Sequence, residues 1–555
     1  MSDTENHPSK MASAQQHWVE STTKAGVDPT SDATGSPARP RDTLATDARA
    51  AADAEHKMSL MDGIRAYPRA VAWSVVISTA TTMDGYDTGF LSSLLGLPAF
   101  RQQFGHAQGN GYVISPAWQS AIGNSSSIGI FLGVLLNGWL TDYLGHRRIL
   151  MSCYVLITAL VFIPFFAPSV GVLVAGEILC GIVWGQFSIT GATYASEVCP
   201  LPLRAYLTSY INITWILGQF IAALVLRGVA SLPDTNPWAY RIPFAVQWVW
   251  PIPLCLGAYL APESPWWLVR QGRLDEAEVS LRRLSSKKAA HQVSPHQTMA
   301  MMVHTDQLER AYEEGTSYLD CFRGVNLRRT EIACMAWCIQ VFFGLPLNGY
   351  DTYFFEQAGL DTVYAFDLTV GDRLIALTGT ALSWLMLTYF GRRTIYQIGI
   401  TCNVILLITI GGAASAHNNG GAWAQSILLM CWPFVTSMTV GSVAFAIVSE
   451  VGSTRLRAKT IAIARNTWNL LNIIFGVVMP YLINPDAAGL QGKAAFIFVF
   501  LGALSLVWVV FRLPETKHRT YEELDILFLR KVKARDFKNT AVAAYQEDIH
   551  KAVGQ

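Results

Sequence analysis

Two carboxylates stand three residues apart in Asp84-Gly85-Tyr86-Asp87-Thr88-Gly89, inside an apolar run from Ala70 to Leu95. At that spacing they share one face of a helix. A carboxylate at mid-membrane depth costs about 2.5–3.5 kcal/mol on insertion scales, so the pair reads as a proton or substrate site turned toward a polar cavity.

The elements that would hold such a pair are membrane helices. The chain of 555 residues is 51% hydrophobic and only 15% charged, with 17 Trp and 26 Phe. A soluble chain of this size is neither so apolar nor so poor in charge, and the aromatic residues fit interfacial belts. A net charge of +1 gives no attraction for nucleic acid. The nine cysteines are scattered; Cys334 and Cys338 lie one turn apart with no His or acidic companion, so they read as helix packing, and no metal site is expected. The chain has no Gly-x-x-x-x-Gly-Lys loop, which excludes ATP as the energy source. No nucleophile–base spacing stands out, so an enzyme is not expected and no cofactor is implied. Residues 1–66 are rich in Ser, Thr, Ala, Asp and Pro and read as a disordered tail. They lack the short apolar segment of a secretory signal.

Crossing the hydrocarbon core takes about 20 predominantly apolar residues. That rule predicts spans near 70–92, 118–140, 149–167, 171–192, 205–227 and 242–261, then near 332–355, 370–390, 394–414, 423–447, 460–482 and 494–513. The expected fold class is an all-α membrane protein of twelve transmembrane helices in two six-helix pseudo-symmetric halves, residues 67–261 and 332–513. A central loop of 262–331 carries short amphipathic helices such as Leu274–Leu284, and a tail of 514–555 follows. The loops with Arg147, Arg148, Arg204, Arg392, Arg393, Arg455, Arg457 and Lys459 fall on one side, which places both termini and the central loop in the cytoplasm.

The halves repeat. Asp142-x-x-Gly145-x-Arg147-Arg148 corresponds to Thr388-x-x-Gly391-Arg392-Arg393, Ser196-Glu197 with Arg204 to Ser449-Glu450 with Arg457, and Pro262-Glu263-Ser264 to Pro514-Glu515-Thr516. Parallel repeats with a substrate site near the midplane are a common transporter design. Asp142, Arg147, Arg148, Glu197 and Arg204 can pair at the basic end of one half, and Arg392, Arg393, Glu450 and Arg457 at that of the other. As networks they would latch the outward-facing state; single exposed pairs contribute only about 0–1 kcal/mol.

Together with Gly85-Tyr86-Asp87-Thr88-Gly89, Tyr194-Ala195-Ser196-Glu197 and Pro262-Glu263-Ser264-Pro265, these motifs resemble the sugar porter family of the major facilitator superfamily. Gly176-Glu177-Ile178-Leu179-Cys180-Gly181, Pro265-Trp266-Trp267-Leu268-Val269-Arg270 and Gly349-Tyr350-Asp351-Thr352-Tyr353 are similar to the fungal α-glucoside (maltose-type) permeases. The resemblance implies proton-coupled sugar uptake across the cell membrane. It gives Asp87 the place of the first-helix carboxylate and Glu177 the fourth-helix position where many sugar porters carry Arg; as buried charges, Asp84 and Glu177 can share the proton of Asp87, and Arg465, an embedded base in the eleventh span, can pair when the proton leaves. It also implies substrate contacts at Gln219, Gln340 and Asn466, with Asn348, Tyr350 and Trp468 nearby and Phe445 in place of a tenth-helix Trp.

Some positions depart from that pattern. Ile130 stands where these permeases carry a second-helix Glu, Thr388 where the second-half loop has Asp, His146 where Arg is common, and Val341 and Pro346 where sugar porters place polar residues. They leave a more apolar pocket and a second expectation: a carrier of the same fold for a fungal metabolite or glycoside, working in efflux. A non-transporting sugar sensor is a third, weakened by the short C-terminal tail. The expected partners are a small-molecule substrate, protons and the lipid bilayer.

Overall fold

The computed structural model describes residues 40–542 apart from 96, 109–110, 234–235, 287–293, 313–316, 349–361, 417–418, 454, 484–487 and 541. Helices make up almost all of it; the one strand pair among the described residues is the short hairpin His106–Gln108 with Gly111–Val113. Among the described residues, nine helices are long and apolar enough to cross a membrane. The described parts of the three other expected spans also fall on helices; residues 349–355 of the seventh, expected at 332–355, lie outside the described residues. The first is divided into Pro68–Ser78 and Thr81–Leu94, and the second of these segments carries both Asp84 and Asp87. The seventh, Gly324–Phe342, ends just before Gly344, whose φ of 109° is one that side-chain-bearing residues rarely adopt. The eighth is Thr362–Tyr389.

In the first half, Thr81–Leu94 crosses Leu201–Val229, and Pro116–Leu144 packs along Val170–Val198. The first crossing is close because Gly85 has no side chain: a Cβ there would lie 2.0 Å from the Trp215 carbonyl oxygen. In the second half, Gly324–Phe342 packs on Arg457–Ile483, and Arg392–Ser415 on Ala495–Arg512 and Asn419–Thr436. The halves meet along two seams. Arg457–Ile483 lies against Pro116–Leu144, and Leu201–Val229 lies against Thr362–Tyr389 and Ser442–Val451.

The repeated Pro-Glu-Ser/Thr motif has a structural reason. Gly145 (φ 82°) turns the chain into the helix His146–Leu160, and the Glu263 carboxylate accepts the N–H groups of His146 and Arg147 at 3.1 and 3.2 Å. Glu515 accepts those of Arg392 and Arg393 at 2.9 and 3.3 Å at the start of Arg392–Ser415. Each acid satisfies free N–H groups at a helix N-terminus and complements its dipole. A Cβ at Gly391 would lie 2.0 Å from Glu515 Oε2, so the glycine makes room for the cap.

The tail expectation is corrected for residues 40–66. They form the helices Pro40–Lys57 and Leu60–Ala66. The first buries Leu44, Ala48, Ala51 and Ala52 against the central-loop helix Pro295–Tyr312. An alanine face adds little hydrophobicity to the sequence yet lets two helices approach closely. Residues 1–39 lie outside the described residues. The amphipathic helix expected in the central loop is present as Leu274–Leu284, with Leu274, Ala277, Leu281 and Leu284 buried.

Candidate functional site

Asp84 and Asp87 are both fully buried, and their surroundings differ. Asp87 faces its own half. Its Oδ2 accepts the Ser126 hydroxyl at 2.6 Å and its Oδ1 the Gln247 amide at 3.1 Å. Its carboxyl also shares a hydrogen bond with Glu177, on Val170–Val198. A hydrogen bond between two carboxyl groups needs a proton on one of them, so this pair is a place to hold one. Asp84 contacts both halves. Its Oδ2 accepts the Ser188 hydroxyl at 2.7 Å and lies 3.4 Å from Arg465 Nη2, on Arg457–Ile483. The arginine therefore pairs with Asp84, one turn away from the expected carrier.

The Arg465 guanidinium lies 4.4 Å from the Trp468 ring centroid and 5.8 Å from that of Trp337, and Trp337 packs edge-on against Phe445 at 5.5 Å. Aromatic faces of this kind attract a desolvated cation by roughly 2 kcal/mol. Of the candidate sugar contacts, Gln340 and Asn466 lie close in the chain to these residues. Gln340 is half-buried one turn beyond Trp337, and Asn466 is buried beside Arg465. Asn466 Nδ2 donates to the Phe131 carbonyl at 3.0 Å, tying the two halves, while its Oδ1 is buried without a hydrogen-bond partner. Trp468 Nε1 and Asn469 Nδ2 are also buried and unpaired. Gln219 is buried in Leu201–Val229 against Gly89. Asn348 closes the short helix Leu345–Asn348, and Tyr350 lies outside the described residues.

At the basic end Glu197 is fully buried. It accepts hydrogen bonds from Arg270 Nη2 at 2.8 Å and from the Ser264 hydroxyl, contacts His146 Nε2 at 3.2 Å, and lies 3.9 Å from Arg457 of the other half. Its counterpart Glu450 pairs with Arg392 at 2.8 Å and accepts Thr516 at 2.6 Å. Asp142 does not pair with Arg147 or Arg148: its carboxylate binds Lys459 of the second half. Arg148 is exposed, Arg147 stacks 5.2 Å from the Tyr259 ring, and the Arg393 guanidinium donates to the Val510 carbonyl at 2.6 Å. Arg204 and Arg457, one from each half, lie 3.7 and 3.8 Å from the ring centroid of Tyr521, which at that range puts them on opposite faces. The Tyr521 hydroxyl donates to the Ser196 carbonyl at 3.0 Å.

Sequence reasoning missed Ser126, Ser188, Gln247, Lys459, Tyr521 and the buried Asp372, which lies 3.3 Å from Arg373. Asp372 had the same signal as Asp87, an acid inside a long apolar helix. Thr388, the departure from Asp, bonds the Tyr206 hydroxyl at 3.0 Å across the seam. Ile130 is buried in the apolar core of the first half.

Two helix bundles that meet around a buried cluster of ionisable groups match the parallel-repeat build of many membrane transporters. The chain matches the sugar (and other) transporter family over residues 73–528 and belongs to it. It is 37% identical to the maltose permease MAL61 of Saccharomyces cerevisiae, over 90% of this chain and 82% of that protein. It is 36% identical to the alpha-glucosides permease MPH3 of the same organism, over 98% and 93%. The relatives are permeases, not enzymes. Among solved structures, the proton:xylose symporter XylE bound to 6-bromo-6-deoxy-D-glucose aligns with a TM-score of 0.72 at 24% identity, over 83% of this chain and 99% of that one. Inward-open XylE from E. coli aligns with a TM-score of 0.60 at 22% identity, over 82% and 99%. These two share the fold.

Proposed function

We propose that the protein is a twelve-span proton symporter that brings an α-glucoside or a related sugar into the cell. Its halves extend over about 67–261 and 332–513, and its basic end and both termini face the cytoplasm. The permeases it resembles support the substrate class, and the loop arginines support the orientation.

One observation carries the coupling: the buried acids divide between a pair inside one half, Asp87 with Glu177, and an ion pair between halves, Asp84 with Arg465. A proton from outside loads the Asp87–Glu177 pair. A proton reaching Asp84 cancels its attraction for Arg465 and frees the second half to move. Arg465 touches Trp468, so sugar stacked on that ring and bonded to Asn466, Asn469, Gln340 and Gln219 senses the same event. The gate at the basic end is Asp142–Lys459 with Glu197, Arg457, Arg204 and Tyr521; Arg392 and Glu450 brace the second half, and Arg147, Arg148 and Arg393 border it.

The test is labelled maltose uptake in cells lacking their own permease, with external pH recorded. Uptake with alkalinisation supports this reading. Exclusion of every sugar, together with export of an apolar glycoside, would support the efflux carrier to which the departures at Ile130 and Val341 point.

A further inference from the structure

A cavity of about 480 Å³ opens at the foot of the last spanning helix, outside the transport site. Arg328, Arg512, Lys531, Lys533 and Arg535 line it, together with the exposed ring of Phe511. Arg512 ends the apolar span Gln491–Arg512, so the cavity sits at the bilayer border. After the helix Tyr521–Leu529, Lys531 takes a φ of 50° and turns the chain. Beyond it the residues alternate: Lys531, Lys533 and Arg535 are exposed, Val532 is half-buried and Ala534 is buried. Three cations thus project from one short strip.

Acidic compensation is sparse. Glu331 is taken by Arg512, which holds it through two nitrogens. Arg328 donates to the Val532 carbonyl at 2.8 Å, and its Nε has no hydrogen-bond partner. Arg393 and Arg535 donate to one neutral acceptor, the Val510 carbonyl, at 2.6 and 3.5 Å. The Arg535 guanidinium lies 4.6 Å from the Phe511 ring centroid, and that side chain is 60% exposed.

We infer that this cavity binds the phosphorylated headgroup of an anionic membrane lipid, a phosphoinositide. Clustered cations at a cytoplasmic helix end attract such headgroups. The exposed Phe511 offers apolar surface for the acyl chains that a free phosphate cannot use. The proposed orientation enters only in naming the leaflet that supplies the lipid.

The test titrates purified full-length protein in detergent with dioctanoyl phosphatidylinositol 4-phosphate, with dioctanoyl phosphatidylcholine, and with inositol 1,4-bisphosphate as the free headgroup. Bound lipid is counted by native mass spectrometry. No sugar is present, so a failure here is separate from a failure of the transport reading. The phosphoinositide should bind, and the other two should bind at least tenfold more weakly. The triple variant Lys531→Ala, Lys533→Ala, Arg535→Ala should weaken phosphoinositide binding on the order of a hundredfold, from about fivefold per charge. Its lipid-free melting midpoint, measured alongside, checks that it folds; Lys533→Ala alone, on an exposed side chain, should still weaken binding about fivefold. Equal binding by the folded variants, or bisphosphate binding as tight as the lipid, would overturn the proposal.

Discussion

The midplane and the basic end join the same two halves with opposite kinds of chemistry. At the midplane the link is an ion pair whose acid, Asp84, can be neutralised by one proton, with the Asp87–Glu177 pair beside it. At the basic end Lys459 holds Asp142, Arg457 approaches Glu197, and two guanidiniums enclose Tyr521. Arginines remain charged throughout the physiological range, so the contacts of Arg457 with Glu197 and of Arg204 and Arg457 with Tyr521 do not release by losing protons. They release when their geometry is pulled apart. Under the proposed symport, this difference puts the trigger at the Asp84–Arg465 link and the resistance at the basic end.

The sharpest way to break this comparison is Asp87→Asn. The variant should lose accumulation of sugar against its gradient altogether while still exchanging labelled for unlabelled maltose. Retained proton-driven accumulation would move the trigger elsewhere. Arg465→Leu comes next. Breaking one partner of a buried pair costs about 3–5 kcal/mol, because the other charge is left uncompensated. Folded yield and melting midpoint should fall steeply, and adding Asp84→Asn to the same chain should recover much of the loss. If Asp87→Asn recovers it instead, the pairing described here is wrong.

At the basic end, Tyr521→Ala removes two cation–π contacts and a hydrogen bond, roughly 2–4 kcal/mol against opening. Tyr521→Phe keeps both stacks and should lose only about 1 kcal/mol. The readout is thiol labelling of a cysteine placed behind the latch: faster in the Ala variant, nearly unchanged in the Phe variant. Lys459→Ala, whose partner Asp142 is half-exposed, should accelerate labelling less, by the equivalent of about 1 kcal/mol. A larger effect from Lys459 than from Tyr521 would reverse the ranking within the latch.

What the sequence made legible follows the same division. Asp84, Asp87, Glu177 and Arg465 stand out because a charge in an apolar run is costly and must be used. How they divide depends on helix crossings, and the residues that reveal it, Ser126, Ser188 and Gln247, are ordinary polar residues in the chain. The loop motifs were legible as repeats, and the family match agrees with them. Their partners were not, since Lys459 reads as one more loop base and Tyr521 lies more than 300 residues beyond Ser196, whose carbonyl it bonds. The helix Pro40–Lys57 was hidden for a different reason: its buried face is alanine, which composition does not separate from a solvated tail.

That helix gives the smallest expected effect, and a basic-end response to pH distinct from the midplane trigger. Glu55 accepts the Leu201 N–H at 3.2 Å, and burial pushes its carboxyl above the usual range against the pull of Arg204. His56 lies 3.5 Å from Glu523 of the C-terminal helix, whose hydrogen bond raises the imidazole above its ordinary 6.5. Burial opposes ionisation of Glu523, but His56 and the Thr520 N–H outweigh it and hold that acid low. The signs can be followed group by group. A raised His56 stabilises docking fully below 6.5 and loses that contribution as pH rises through its folded value. A raised Glu55 favours docking fully below 4.5 and loses this as it ionises. A lowered Glu523 contributes above 4.5 and fails only in stronger acid. Between pH 6 and 8 His56 sets the sign, and Glu523, held low, is constant. Intrinsic-rate-corrected hydrogen exchange over residues 40–57 should therefore show weaker protection at pH 8 than at pH 6, and His56→Ala should flatten most of the difference. Equal protection at pH 6 and pH 8 would mean that the helix is held by its alanine face alone, and greater protection at pH 8 would reverse the signs assigned to His56 and Glu55.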